Sequence, residues 1–227
     1  MMKEERAVEN GSREFRYILF DLDGTVTDPG IGITNSVMYA LRKFGIEETD
    51  RTKLYPFIGP PLADSFREFY GFSEEKARQG IAFYREYYRD KGLFENSVYP
   101  GVEEMLQTLK NSGRMLILAT SKPEGFACQI LDYFHLKQYF SFVAGASMDE
   151  TRVRKEDVIR YALQNCCIAD RERILMVGDR RHDIEGARAN GLSSLGVLYG
   201  YGSRWELLDA GADALAEKPS DIPAYIL

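Results

Sequence analysis

Cysteine and histidine are scarce in this chain of 227 residues, with 3 and 2 copies, and Cys166 and Cys167 are neighbours. Adjacent cysteines cannot cross-link separate elements without strain, so no disulfide framework is expected and a reducing, cytoplasmic setting fits best. Long apolar runs are missing too: Met115 to Ala119 and Phe142 to Ala146 fall far short of the roughly 18 to 20 residues that span a bilayer, so no membrane partner is expected. The opening Met-Met-Lys-Glu-Glu-Arg carries both signs of charge and leads into no apolar stretch, so no secretory signal is expected. A basic surplus is also lacking. With 29 Lys and Arg against 35 Asp and Glu the formal charge is -6, which argues against nucleic acid as a partner. Neither a Walker lysine loop nor a Gly-x-Gly-x-x-Gly fingerprint occurs, so kinase and dehydrogenase readings have no phosphate cradle.

What remains, 44% hydrophobic and 28% charged, is an ordinary globular composition, long enough for one domain or two. Five short apolar runs read as buried strands: Tyr17 to Phe20, Met115 to Thr120, Phe142 to Ala146, Ile174 to Val177 and Leu195 to Tyr199. Helical patterns alternate with most of them, at Val102 to Asn111, Glu124 to Phe134, Lys155 to Gln164, Ile184 to Asn190 and Arg204 to Asp209. That alternation predicts an α/β fold with a parallel sheet flanked by helices. The interval between the first two strands is far longer than a βα connection and has its own periodicity. Ile33, Val37, Leu41 and Phe44 share one helical face, and Leu62 to Tyr70 and Glu74 to Asp90 follow. The chain therefore divides into a flexible N-terminal extension (1–14), a core domain (15–27 and 98–227) and an inserted all-α domain (28–97). The stretch from Asp28 to Pro100 holds 14 of the 28 aromatic residues, which a small helical domain needs for its core.

The first strand ends in Phe20-Asp21-Leu22-Asp23-Gly24-Thr25, and in an extended segment Asp21 and Asp23 would project together from its carboxyl end. Ligands bind at that edge of an open parallel sheet, although an Asp-Gly turn in solvent has the same local signature. The fourth strand ends in Val177-Gly178-Asp179 with Asp183 following, so four acids are predicted to converge. Like charges about 4 Å apart repel by roughly 4 kcal/mol at an effective dielectric of 20, which a bound cation relieves. An all-oxygen ligand set favours Mg2+ over zinc or copper. The second strand ends in Thr120-Ser121-Lys122, and Lys155 opens the helix after the third. Each alone also fits a helix cap or a solvated lysine, but together they supply what phosphoryl transfer needs: a hydroxyl, a cation and an in-line nucleophile.

In these four segments the chain resembles the haloacid dehalogenase superfamily of phosphatases, in its phosphoglycolate phosphatase-like branch with a helical cap, over roughly Tyr17 to Glu217. The resemblance implies a Rossmann-like core, with the insert as cap and seat of specificity. It implies that Asp21 attacks phosphorus to form an aspartyl-phosphate, and that Asp23 protonates the leaving oxygen and then activates water. Asp21, the carbonyl of Asp23 and Asp179 would bind Mg2+, with Asp183 ligating it or holding a water. Thr120 and Lys155 would stabilise the phosphoryl group, aided by Ser121 and the backbone of Leu22 to Gly24. The expected activity is hydrolysis of a small soluble phosphate, phosphoglycolate or alternatively a nucleoside monophosphate, by a monomer or homodimer. A sugar phosphomutase and a non-enzymatic phospho-Asp module are the competing classes. Glu156 stands where relatives commonly have proline, so Arg152, Arg154 and Lys122 also compete with Lys155 for the phosphate. Cys167 to Arg173 has the Cys-x5-Arg spacing of tyrosine phosphatases, but it lacks glycine and contains Asp170 and Glu172, so it reads as a helix end.

Overall fold

The computed structural model describes residues 14–149 and 151–227, so the expected extension at 1–14 lies, apart from Glu14, outside the described residues. Chain order runs β1 (Tyr17–Phe20), β2 (Thr27–Asp28), α1 (Gly30–Lys43), α2 (Leu62–Tyr70), α3 (Glu74–Tyr87), β3 (Ser97–Val98), α4 (Val102–Asn111), β4 (Met115–Pro123) and α5 (Glu124–Tyr133). It continues with β5 (Phe142–Ala146), α6 (Lys155–Asn165), β6 (Ile174–Gly178), α7 (Arg181–Ala189), β7 (Ser193–Val197), α8 (Arg204–Ala210), β8 (Ala214–Ala216) and α9 (Ile222–Ile226). Six strands form one parallel sheet in the order β5-β4-β1-β6-β7-β8. The chain builds outward from β1 first to one side and then to the other. The strand order therefore reverses at β1, and the crevice at such a switch point is where open α/β sheets bind ligands.

Because side chains alternate along a strand, each apolar run feeds both faces of the sheet. Ile18, Phe20, Leu116, Leu118, Leu175 and Val177 pack with α4, α5 and α9 on one face. Leu19, Ile117, Ala119, Ile174 and Met176 pack with α6 and α7 on the other. Continuous apolar runs are what two covered faces require.

The segment between β2 and β3 is helical, and those two strands pair antiparallel as a short ribbon at its base. Its aromatic residues largely form its own core: Phe66 stacks on Phe72 with centroids 5.5 Å apart, and Phe57 and Phe44 close edge-on around them. Ser73 caps α3 by accepting the Lys76 N–H, and α3 runs into a π-helical turn, Tyr88–Gly92.

Several boundaries differ from the sequence reading by one to three residues, and two short elements lie outside it. The strand β7 begins at Ser193 and not at Leu195, because two buried serines pack between β6 and β8, and Asp213 accepts the Ser194 N–H at 2.8 Å. β8 and α9, three and five residues long, are too short for periodicity to reveal. The helix α7 starts at Arg181, three residues early, so Asp183 lies in its first turn. The strand β4 continues past Thr120 to Pro123 with its register shifted after Ala119.

Candidate active site

Every candidate side chain stands at the carboxyl edge of the sheet. Asp21 follows β1 directly, and its N–H is held by the Val177 carbonyl of β6 at 2.9 Å. Leu22 donates its own N–H to Asp21 Oδ1 at 2.8 Å. The chain then turns back on itself at Gly24, where φ is +81°. A side chain there is barred twice, since a Cβ would sit 2.1 Å from Asp179 Oδ2. The Gly24 N–H donates to the Thr27 carbonyl at 2.8 Å, so this amide serves the turn and not a ligand.

Asp21, Asp179 and Asp183 each bring a carboxylate oxygen within 4.8 Å of the others, and all three are buried. Asp23 does not join them. Its Oδ2 meets Lys122 Nζ at 2.6 Å, because the chain leaves the extended conformation after Phe20 and the same-side relation of positions i and i+2 is lost. The expected cluster of four side chains is thus one of three, with the Asp23 carboxylate facing another way. Lys155 reaches into the three from α6: Nζ lies 2.7 Å from Asp21 Oδ1, 2.8 Å from Asp183 Oδ1 and 3.0 Å from the Ala119 carbonyl.

Burial raises the pKa of Asp179 well above the carboxylate range, and the carboxylates of Asp183 and Asp21 push it further. Burial likewise lifts Asp183, against the pull of Lys155, to about 6. For Lys155, burial works against the charge, but Asp183 and Asp21 outweigh it and hold the ammonium above its ordinary value. When ionised, three carboxylates against one ammonium leave two negative charges, which a divalent cation neutralises. Asp183 Oδ1 lies 2.8 Å from Lys155 Nζ and has no hydrogen-bond partner among the described residues, so an acceptor remains open. Hard oxygen donors, buried and short of positive charge, fit Mg2+.

A cavity of about 340 Å3 opens beside Asp23, between the helical segment and the sheet edge. Tyr84 and Tyr88, stacked 5.1 Å apart, and Phe126 line it with Lys122 and Arg154. A second cavity of about 220 Å3 continues past Ser121 and Arg154 to Lys155 and His182. Thr120 is buried and accepts the Lys122 N–H at 3.2 Å. Of the arginines that compete for a phosphate, Arg152 is committed elsewhere: it stacks on Tyr161 and bonds Gly145 and Glu124. Arg154 lines both cavities. Arg180 is turned away to Glu206 and the Ile58 carbonyl.

Sequence reasoning missed the loop Gly200-Tyr201-Gly202. Tyr201 donates its N–H to Asp179 Oδ2 at 2.7 Å, and a Cβ at Gly200 or Gly202 would strike Asp179 at 2.4 or 1.8 Å. Two glycines flanking one residue just after a strand are a legible sign of close backbone approach.

The fold and the cluster define an α/β enzyme with a buried acidic site at the switch point of its sheet. The family model for haloacid dehalogenase-like hydrolases matches residues 18–197, and the chain belongs to that family. Among curated proteins it is 47% identical to a 5'-nucleotidase of Pseudomonas aeruginosa over 84% of this chain and 86% of that protein. It is 39% identical to tyrosine-protein kinase PtkA of Mycobacterium tuberculosis, over 82% of this chain and 62% of that protein. Phosphoglycolate phosphatase 1 of Pseudomonas aeruginosa is 32% identical over 82% of this chain and 70% of its own. A solved structure, a predicted phosphatase from Clostridium acetobutylicum, superposes with a TM-score of 0.91 at 47% identity, covering 93% of this chain and 98% of that one. No described helix is long and apolar enough to cross a membrane.

Proposed function

We propose that the protein is a Mg2+-dependent phosphomonoester hydrolase that works through an aspartyl-phosphate on Asp21. The carrying observation is the buried triad of Asp21, Asp179 and Asp183 pinned by Lys155 at the switch point of the sheet. These three side chains, with the Asp23 carbonyl, are the residues that would hold the ion, and its charge would offset that of the transferring phosphoryl oxygens. Asp21 is the nucleophile, and Lys155 and the Thr120 hydroxyl fix the phosphoryl group in line with it. Asp23 stands apart from the triad beside the larger cavity, where a leaving group emerges, and burial raises its pKa even against the nearby Lys122, as a proton donor requires. The helical segment, residues 28–97, acts as the cap that excludes water.

Phosphoglycolate and a nucleoside monophosphate are the two substrates in contention. A cavity of about 340 Å3 lined by Tyr84, Tyr88 and Phe126 exceeds what a two-carbon acid fills, and this favours the nucleotide. The 47% identical relative that carries a 5'-nucleotidase name points the same way. The test is phosphate release from phosphoglycolate, nucleoside monophosphates and sugar phosphates, with Mg2+ and with chelator. Chelator-sensitive release is expected, and Asp21→Asn should lower it by at least about a thousandfold while the fold, read by circular dichroism, is kept. Substantial turnover by that variant would place the nucleophile elsewhere. Dependence on a bisphosphate primer, with little phosphate released, would favour the mutase.

A further inference from the structure

The two carboxylate oxygens of Asp23 are treated unequally. Oδ2 is held by Lys122 Nζ at 2.6 Å, whereas Oδ1 is buried and has no hydrogen-bond partner among the described residues. Lys122 itself is buried, and its Nζ also donates to Tyr88 Oη at 2.6 Å. Tyr88 opens the π-helical turn at the end of α3, a local distortion frequent at functional sites. Its ring is fixed from two sides, stacked on Tyr84 and met edge-on by Phe126 at 5.6 Å. A continuous polar chain therefore runs from the helical segment through Lys122 to Asp23, a residue that lines the cavity of about 340 Å3.

We propose that Lys122 is a positioning residue for Asp23, gripping Oδ2 so that Oδ1 faces the leaving group, and that Tyr88 holds Lys122 in that place. The inference rests on the reading of Asp23 as acid and base. In the first half-reaction an oxygen of Asp21 bonds to phosphorus as the ester P–O bond breaks, and the departing oxygen takes the proton from Asp23 Oδ1. The alcohol leaves neutral, and Asp23 is left as a carboxylate still held by Lys122. In the second, water gives a proton to Asp23 as its oxygen attacks phosphorus and the bond from Asp21 breaks, releasing inorganic phosphate. An acid that is free to rotate donates less often, and the loss grows with the basicity of the leaving oxygen. A lysine that bound the phosphoryl group directly would instead serve all esters alike.

The test is therefore a leaving-group series on the full chain with Mg2+: 4-nitrophenyl, phenyl and 4-methoxyphenyl phosphate, with an alkyl phosphate at the basic end. The value of kcat/KM reports the half-reaction in which the leaving group departs. General acid catalysis is worth roughly a hundredfold to ten-thousandfold. For Lys122→Met we expect kcat/KM to fall at least about tenfold further for the alkyl ester than for the 4-nitrophenyl ester, giving a steeper dependence on leaving-group pKa. Tyr88→Phe removes only the hydroxyl and keeps the ring packed; it should show the same steepening to a smaller degree, which guards against misfolding of the lysine variant. Lines parallel to wild type in the two variants would overturn this inference and leave the hydrolase reading standing. No phosphate release by wild type from any ester in the series would overturn both.

Discussion

At the scale of single residues the site is built by exclusion as much as by contact. Gly24 and Gly113 share a φ of +81°, but a Cβ at Gly113 meets nothing within 4 Å, whereas at Gly24 it would collide with Asp179. Alanine at either position should cost about 1 to 2 kcal/mol of stability from the left-handed backbone alone. Gly24→Ala should in addition displace Asp179 from the Tyr201 N–H and abolish most of the turnover, while Gly113→Ala keeps it; thermal unfolding and phosphate release on the two variants separate the effects. Equal activity in both would mean that the Asp179 contact is dispensable. The positions of Asp21, Asp179, Asp183, Thr120 and Lys155 were legible because each lies at or near the end of an element that hydrophobic periodicity reveals. The pairing of Asp23 with Lys122 was not, since it depends on where the chain leaves the extended state, and no local pattern encodes that.

At the scale of elements, strongly periodic segments coincide with their sequence patterns: α2 and α4 match residue for residue, as do β1 and β5. The misplaced boundaries fall where tertiary packing overrides propensity, as with the serines that open β7 between two neighbouring strands. The helical segment shows why its aromatic richness is structural. Phe66, fully buried on α2, packs against Phe57 and Phe72 and lies close to Gly80 of α3, where no larger side chain would fit without a shift. Phe66→Ala should therefore destabilise the protein by about 3 to 5 kcal/mol in denaturant unfolding, since the gap sits between helices already in contact. A loss under about 1 kcal/mol would mean that the helices close over the gap.

At the scale of the whole molecule, the buried acids tie folding to pH and to the divalent ion. The ordinary pKa of Asp183 is 3.8, and burial lifts it to about 6 in the folded chain, so the folded state holds that proton more tightly than the unfolded one. The resulting stability is fully present below about pH 3.8 and is lost as pH rises through about 6. Asp179, raised in the same sense by burial and by its acidic neighbours, adds to the trend. Without divalent ion, this contribution to the melting temperature should thus decline between pH 4 and pH 7. Mg2+ binds the carboxylate forms and so should act most strongly at the upper end of that window. An ion present at 100 times its dissociation constant stabilises by about 2.7 kcal/mol, or roughly 5 to 10 °C for a chain of this size. The check is a set of melting curves at pH 5 and pH 7.5, with Mg2+ and with chelator: a Mg2+ increment larger at pH 7.5 is expected, and one independent of pH would place the ion away from these carboxylates.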